Sequence, residues 1–332
     1  MSALVVIAAI VATVPSVDDF SLDNPYWNGM SSAASALRLS DRSGARPDPS
    51  WALIIAGPDV QFDADRVSEL RSFLEDGGCL LLLDDFGTGN SLLEGLGVGV
   101  RINGSVLADP LFMHKSQRLP RASPAGGTSG QGDIFLDYAS VLEVGGGSHG
   151  GEVSVLYESS PFSYLDVDTD GRRGPDEPTG PFPVAAEVVY GKGKLVVVSD
   201  SSLLINSVLE IGGYNAGFVG GLVGGRAAVV VDYGNNAKSA YSQFRSAALV
   251  AASYPEARYA LALAAAALLF RIDPASLRKG GEAPEGELAA TEEAHPDWDR
   301  GLLKELWDEL KAHRQGAPAA GSLEREGKRN RN

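Results

Sequence analysis

The hydrophobic positions in the first half of the chain follow two alternating patterns. Residues 51–56 (WALIIA) and 79–83 (CLLLL) are short continuous apolar runs, which is typical of strands buried on both faces of a sheet. Residues 63–75 carry apolar side chains at helical spacing and end before a glycine pair, as a helix does. A short helix is expected over 91–96. The order strand, helix, strand, helix predicts an α/β fold with a mostly parallel sheet and right-handed crossovers.

The second half of the domain is less regular. Gly, Ser and Pro cluster within residues 102–151, which predicts surface loops. Two later apolar runs, 184–190 and 194–199, are joined by Gly191-Lys192-Gly193 and predict an antiparallel hairpin at the edge of the sheet. The remaining predicted elements are strands over 153–157 and 227–231 and helices over 201–209 and 215–223.

Two apolar segments have the composition of membrane segments. Residues 3–14 carry no charge, but crossing a bilayer takes about 20 residues. A signal peptide or a buried strand is the alternative, although the positively charged leader of a signal peptide is missing. Residues 253–272 approach a full span, with a buried alanine-rich helix as the alternative. Basic residues follow this segment, so we expect the tail in the cytoplasm and the main domain outside it, at the cell membrane.

These patterns divide the chain into four expected parts. They are an N-terminal membrane segment (1–16), an α/β domain (17–245), a C-terminal membrane helix (253–272) and a cytoplasmic tail (273–332). Within the tail, residues 299–313 place leucine and tryptophan on one face of an amphipathic helix. We expect that helix to bind a cytoplasmic protein partner or the inner leaflet; packing on its own chain is the alternative.

Composition argues against some classes of function. The formal net charge is −15 and the pI is near 4.7. Nucleic-acid binding requires a cationic surface that displaces counterions from phosphates, so it is not expected. The chain has one cysteine, Cys79, and four scattered histidines, which exclude a disulfide framework and argue against a zinc enzyme.

The strongest chemical motif is the acidic segment 166–177, DVDTDGRRGPDE. It fits the calcium-loop pattern D-x-D-x-D-G followed by five residues and a glutamate. The expected Ca²⁺ ligands are the carboxylates of Asp166, Asp168, Asp170 and Glu177 and the backbone carbonyl of Arg172. Prolines on both sides argue against the flanking helices of an EF-hand, so we expect a structural calcium ion rather than a calcium switch. A solvated acidic turn is the alternative.

Two polar turns follow predicted strands, where ligands of α/β sheets bind. They supply the cleft candidates Asp84, Asp85, Asn90, Asp200 and Ser201. The alternative is that these residues shape turns and cap helices, and Ser201 is placed to cap the helix predicted over 201–209. No activated nucleophile is apparent in either turn. Adjacent Asp84 and Asp85 should point to opposite faces, so catalysis by this pair is not indicated.

Several motifs, spread over most of residues 19–232, carry a family resemblance. They are NPYWNG at 24–29, Gly57-Pro58, Gly77-Gly78, DDFGTGN at 84–90, GKGKLVVVSDSSLLIN at 191–206, Asn215 and Phe218. Together they resemble a family of membrane-anchored prokaryotic proteins, many archaeal, with a glutamine-amidotransferase-like domain of unknown function. The resemblance implies a flavodoxin-like sheet with one or two membrane segments. Amidotransferases carry a cysteine on the turn after a central strand; Asp85 and Phe86 stand there in this chain, which implies an inactive scaffold.

The sequence favours a non-catalytic, membrane-anchored, extracytoplasmic binding or scaffolding domain with a structural calcium site. Two alternatives stay open. One is a surface hydrolase that acts on glycans or peptides through Asp84, Asp85 or Asp200. The other is a sensor or transporter accessory subunit, in which the tail helix 299–313 contacts a cytoplasmic partner.

Overall fold

The computed structural model describes residues 14–43, 45–127, 131–148, 151–230, 239–245, 292–295 and 298–314. The chain forms two compact units, one over residues 6–251 and one that combines 1–5 with 252–332. In the first unit the helices are α1 (Ser31–Leu37), α2 (Ala64–Glu75), α3 (Asn90–Leu96), α4 (Asn206–Leu209) and α5 (Asn215–Val223). Its strands are β1 (Ser40–Asp41), β2 (Trp51–Ala56), β3 (Cys79–Leu83), β4 (Val100–Ile102), β5 (Val106–Ala108), β6 (Met113–His114), β7 (Ser116–Pro124), β8 (Ile134–Phe135), β9 (Leu142–Val144), β10 (Val153–Glu158), β11 (Tyr164–Asp166), β12 (Pro183–Tyr190), β13 (Gly193–Val198) and β14 (Ala227–Val230).

Ten of the described strands form one mixed sheet. Its order is β1-β14-β2-β3-β13-β12-β10-β7-β6, with β8 paired to β7. The neighbours from β1 to β13 along this order are parallel, and those from β13 onward are antiparallel. Two small antiparallel ladders, β5 with β11 and β4 with β9, lie beside it. The predicted α/β class with a large sheet and flanking helices is confirmed.

The central strands are buried on both faces, as their continuous apolar runs predict. Alternate side chains of β2 and β3 enter two different core clusters because successive residues of a strand point to opposite faces. Leu53 and Leu80 pack with the apolar residues of α2 and α3 on one face. Ile54 and Leu81 pack with residues of α1 and α5 on the other. Both layers of helices are therefore fixed by the same two strands.

Helix α2 begins and ends where its sequence signals predict. The Asp63 carboxylate caps the first turn by accepting a hydrogen bond from the Arg66 N–H at 2.8 Å. The buried positions Val67, Leu70, Phe73 and Leu74 recur at helical spacing and face the core. The chain leaves the helix through Gly77, whose φ of 106° is costly for a residue with a Cβ.

The hairpin predicted at the sheet edge pairs as expected but lies inside the sheet. Val188 of β12 faces Leu195 of β13, and Leu195 also faces Leu80 of β3 in parallel register. On its other side, β12 pairs with β10. An edge position was wrong because both strands of the hairpin are largely apolar on both faces, and such strands gain most from neighbours on both sides.

Two further expectations require correction. The region 102–151, expected to form loops, carries β5 to β9, of which β7 extends the main sheet beyond β10. These strands were missed because they are short or polar; β7, the longest, reads SQRLPRASP and has no apolar run. The helix expected over 201–209 is reduced to α4, and Ser201 does not cap it because the residue before α4 is Ile205.

The described part of the second unit contains α6 (Arg300–Arg314), which lies where the amphipathic tail helix was predicted. The expected membrane segments fall on residues 1–16 and 253–272, and of these the structure describes 14–16. Across the described ranges, none of the helices has both the length and the apolar character required to span a bilayer.

Candidate functional site

A cleft of about 610 Å³ lies at the carboxyl ends of the parallel strands. The loops after β2, β3 and β13 each contribute to it, through Gly57-Pro58, Asp85-Phe86 and Ser201-Ser202. Residues from two more distant segments, around Trp27 and Tyr138, complete the walls. Parallel strands bring their carboxyl ends to one edge of a sheet, which explains why loops far apart in sequence meet here.

Among the sequence candidates, Asp85 lies on the cleft wall, and its carboxylate is only partly hydrogen-bonded. The residue is 7% exposed, and its Oδ2 accepts a hydrogen bond from the Ser201 hydroxyl at 3.1 Å. Oδ1 is buried and has no hydrogen-bond partner among the described residues. Burial raises the pKa of Asp85 to about 6; the nearby charge of Asp84 acts in the same direction and the Ser201 hydrogen bond opposes it.

Asp84 faces the other way and holds the loop together. Its carboxylate accepts hydrogen bonds from the backbone N–H groups of Phe86, Gly87 and Gly89, at 3.0, 3.3 and 2.6 Å. Burial raises the pKa of Asp84, and these three donors oppose the shift. The carboxylate therefore fixes the turn that leads from β3 into α3, and it does not line the cleft.

Asn90 and Asp200 do not line the cleft either, and their side chains hydrogen-bond to backbone groups. The Asn90 side chain makes two hydrogen bonds with the backbone of Ile102, both at 2.9 Å, and so attaches β4 to the start of α3. Asp200 is fully buried and accepts the N–H groups of Ser202 at 2.7 Å and Asp137 at 3.0 Å. Burial, with a smaller contribution from the Asp85 charge, raises the pKa of Asp200 well above its usual value. Asp200 thus holds the Asp137 loop that lines the cleft.

The aromatic part of the wall was not among the sequence candidates. Trp27, Phe86 and Tyr138 line the cleft although they are 69%, 81% and 54% exposed. Tyr138 and the neighbouring Phe20 adopt left-handed backbone, with φ of 51° and 57°, which is uncommon for bulky residues and clusters at functional sites. Trp27 and Phe86 stand in the motifs NPYWNG and DDFGTGN, which is the one sequence signal that points to them.

Gly57 leaves room for the Phe20 ring to pack on the backbone after β2. A Cβ at Gly57 would lie 2.3 Å from the Phe20 ring, and Gly57 itself has φ of 55°. Both facts require glycine at this position. The ring can therefore lie directly on the backbone after β2, which brings the N-terminal segment to the cleft.

The described walls of the cleft carry several carboxylates. Asp19, Asp59, Asp85 and Asp137 all lie on it, and no lysine, arginine or histidine is among its described lining residues. Burial raises the pKa of Asp137 as well as that of Asp85. The electrostatic potential in such a cleft is negative, which favours ligands that carry positive charge or hydrogen-bond donors.

The acidic loop 166–177 brings together three of its predicted ligands. One carboxylate oxygen each of Asp166, Asp168 and Glu177 lies within 4.8 Å of the others. Oxygens of a Ca²⁺ shell at 2.3–2.6 Å from the ion are up to about 5 Å apart, so this spacing fits the ion. Asp170 is not in the group; its carboxylate accepts the N–H of Arg172 at 2.7 Å.

Backbone N–H groups and one cation hold the loop. The Gly171 N–H lies 3.2 Å from Asp166 Oδ2, and the Val167 and Gly174 N–H groups bond the two oxygens of Glu177 at 2.9 and 2.8 Å. Arg118 Nη2 is 3.3 Å from Asp166 Oδ2 and offsets part of the negative charge. The donor set is the hard oxygen type that Ca²⁺ prefers, with Arg118 as a competitor.

The fold and the two sites define an α/β domain with an acidic, aromatic cleft and a separate carboxylate loop. Residues 23–223 match the family described as Domain of unknown function (DUF4350), and the chain belongs to that family. The matched range includes Trp27, Asp85, Tyr138 and the loop 166–177. The resemblance inferred from the motifs is confirmed as far as a domain-of-unknown-function family; membrane anchoring, an archaeal bias and an amidotransferase-like domain stay predictions.

Solved structures are only remotely similar. The mmIFT52 N-terminal domain is 17% identical, with 50% of this chain and 73% of that chain covered and a TM-score of 0.37. A β-galactosidase from the Antarctic haloarchaeon Halorubrum lacusprofundi is 15% identical, with 57% and 23% covered and a TM-score of 0.31. A cytoplasmic protein from Salmonella typhimurium LT2 is 14% identical, with 60% and 87% covered and a TM-score of 0.36. None of the curated proteins matches the chain. At these scores the structures carry no argument about function.

Proposed function

We propose that this domain is a non-catalytic binding domain whose ligand occupies the cleft at the carboxyl ends of the parallel strands. The observation that carries the proposal is the buried Oδ1 of Asp85, a residue that lines the cleft, which has no hydrogen-bond partner among the described residues. A buried acceptor left unsatisfied costs about 1–3 kcal/mol of stability. A ligand that donates a hydrogen bond to this oxygen recovers that cost.

The three carboxyl groups considered for a hydrolase do not face the cleft together. A two-carboxylate glycosidase mechanism needs both carboxyl groups on either side of the substrate bond. Of the three residues considered for a hydrolase, Asp85 lines the cleft, whereas Asp84 and Asp200 accept backbone N–H groups behind the wall. The Ser201 hydroxyl donates to Asp85 and has no histidine or lysine beside it among the described lining residues.

The loop 166–177 is proposed as a structural calcium site. The convergence of Asp166, Asp168 and Glu177 supports it, and so does the turn at Gly171, whose φ is 73°. Bound Ca²⁺ would relieve the repulsion between these carboxylates and stabilise the loop between β11 and β12. Because Arg118 partly neutralises Asp166, we expect an affinity in the weak range of extracellular modules, about 10⁻⁴ to 10⁻³ M.

Membrane anchoring and an extracytoplasmic location are part of the same proposal. They are supported by the apolar segments 3–14 and 253–272 and by the basic residues after the second one. Membrane fractionation followed by protease treatment of intact cells tests both. A chain recovered in the soluble fraction, or a main domain protected in intact cells, refutes this part of the proposal.

A cytoplasmic partner for α6 is the corresponding proposal for the tail. Leu302 and Leu306 of this helix are exposed, which supports a role as sensor or transporter accessory subunit. A pull-down with the peptide 299–313, compared with the same peptide carrying Leu306→Asp, tests whether a specific protein is retained.

The binding function is tested by a thermal-shift screen of amines, glycosides and short peptides against the wild type and Asp85→Asn. We expect compounds that raise the melting temperature of the wild type and not of the variant, with no chemical change in them by mass spectrometry. Turnover of a glycoside or peptide that Asp85→Asn abolishes would establish the hydrolase instead. Glu152→Gln, which removes an exposed carboxylate outside the cleft, is the matched control.

A further inference from the structure

The charge of the cleft narrows the class of ligand, if the proposed binding function holds. Asp19, Asp85 and Asp137 place three carboxyl groups on its walls, and none of the described lining residues is basic. Asp19 accepts a hydrogen bond from the neutral amide of Asn28, which leaves its charge in place. A negative cleft of this kind attracts a cation and repels phosphates and carboxylates.

Asp85 provides the point of attachment. Its Oδ2 is occupied by the Ser201 hydroxyl, whereas Oδ1 is buried and without a partner in the described chain. The missing partner must be a hydrogen-bond donor small enough to reach a residue that is nine-tenths buried. An ammonium donor brings a full opposite charge to its hydrogen bond with a carboxylate, which a neutral hydroxyl does not.

The aromatic walls specify the rest of the ligand. Trp27 and Phe86 present large exposed ring surfaces beside the carboxyl groups, and such surfaces bind apolar groups and cations. The Tyr138 ring already carries the Arg118 guanidinium at 5.5 Å from its centroid. Phe86 is the residue next to Asp85, so one loop supplies both an aromatic ring and the carboxylate. A ligand that satisfies both features has a cationic N–H group and an apolar body.

We propose that the cleft binds an organic ammonium ion, a protonated primary amine with an aromatic or aliphatic body. The ammonium group donates a hydrogen bond to Asp85 Oδ1, and the body lies against the rings of Trp27 and Phe86.

Two other occupants of a negative cleft fit the walls less well. A calcium ion requires six to eight oxygen ligands, and the rings of Trp27, Phe86 and Tyr138 supply none. A neutral sugar can stack on aromatic rings and donate hydroxyl hydrogens, but it carries no charge to balance three carboxyl groups that have no basic residue beside them among the described lining residues. Both are outcomes that the experiment distinguishes.

The test is isothermal titration calorimetry on the full chain at about neutral pH and low salt. The probes are 2-phenylethylammonium chloride, the neutral isostere 2-phenylethanol, calcium chloride and methyl β-glucoside. We expect the amine to bind about tenfold or more tightly than the alcohol, because the alcohol carries no positive charge to pair with the carboxylate. Added salt should weaken amine binding.

Variants locate the site. Asp85→Asn should weaken amine binding about tenfold or more, since it removes the charged acceptor, and Phe86→Ala, at an exposed position, should weaken it by a smaller factor. Glu152→Gln should leave it unchanged. Circular dichroism of each variant establishes that it is folded.

The outcomes separate this inference from the binding function on which it rests. Equal affinity for amine and alcohol, or amine binding that Asp85→Asn leaves intact, overturns the inference. Absence of any saturable heat with the amine also overturns it. Glucoside or calcium binding that depends on Asp85 overturns the ammonium assignment and leaves the binding function standing. The binding function itself fails if the thermal-shift screen finds turnover that depends on Asp85.

Discussion

Replacing Asp85 by asparagine should make the ligand-free protein more stable near neutral pH. The substitution keeps the size of the side chain and removes a carboxylate that is buried and half satisfied. The pKa of Asp85 is raised from 3.8 to about 6, so ionising it at neutral pH costs about 3 kcal/mol more in the folded than in the unfolded chain. The amide of asparagine can accept the Ser201 hydrogen bond with its oxygen, but its NH₂ group then takes the buried position of Oδ1 without a partner, at a cost of about 1–2 kcal/mol. The expected net gain in the free energy of unfolding is about 1–2 kcal/mol.

The gain must depend on pH in a defined direction. Below about pH 4 the carboxyl is protonated in both states, so the variant has no advantage there. Between about pH 4 and pH 6 the folded wild type retains a proton that the unfolded chain has lost, and the wild type loses stability as the pH rises. Above about pH 6 the loss is complete and the advantage of the variant is full. The raised pKa of Asp137 lowers stability in the same direction in both proteins. The Asp85 charge also raises the pKa of Asp200, so its removal adds to the advantage of the variant as the pH rises.

Urea unfolding followed by circular dichroism, at several pH values on either side of this window, measures the difference directly. Glu152→Gln, at an exposed position, should show no such pH-dependent gain. If Asp85→Asn is less stable than the wild type above about pH 6, or if its advantage does not change with pH, the carboxylate is satisfied in the native state and the reasoning is refuted.

Three further predictions concern the loop and the walls. Calcium at about ten times its dissociation constant should stabilise the chain by about 1.4 kcal/mol, a gain that Glu177→Gln should reduce and EDTA should reverse; an unchanged melting temperature with millimolar Ca²⁺ contradicts the site. Gly57→Ala should destabilise the protein by about 1–3 kcal/mol, because the added Cβ would clash with the Phe20 ring and because residue 57 has a positive φ. Gly146→Ala, with open space around it, should change little, and equal effects of the two variants on the denaturation midpoint would refute the packing argument. Asn206→Ala should lower the free energy of unfolding by about 2–4 kcal/mol and increase amide hydrogen exchange across residues 24–29. The reason is that the Asn206 amide donates to carbonyls of that segment and accepts an N–H from α1. Exchange that stays at the wild-type rate would show that other contacts hold the segment.

The parts of the fold that follow from local pattern could be predicted from the sequence. Strands β2 and β3 are apolar runs buried on both faces, and α2 has a cap, a period and a glycine exit. The position of the hairpin β12–β13 could not be predicted, because it depends on which strands cover it. Strand β7 could not be predicted either, since its polar sequence pairs through backbone groups and carries no period.

Some residues of the cleft could also be predicted from the sequence, and others could not. Asp85 and Ser201 could be selected because ligands bind after the carboxyl ends of parallel strands, a rule that depends on topology alone. Whether Asp84 or Asp85 faced the cleft required the structure, which shows Asp84 bonded to three backbone N–H groups. Tyr138 carries no sequence signal, since it reaches the cleft through a loop that the fully buried Asp200 holds by the Asp137 N–H.

The Asn206 hydrogen bonds have a consequence for how the binding site comes into being. They join α4 to residues 24 and 26, which lie 182 and 180 positions earlier in the chain. Contacts between residues so far apart in the chain form only after a loss of loop-closure entropy. A chain that has assembled its central strands but not this closure has a sheet and no complete pocket. Affinity for ligand therefore reports that the entire chain from the N-terminal segment to α4 has folded, which a measurement of strand content does not.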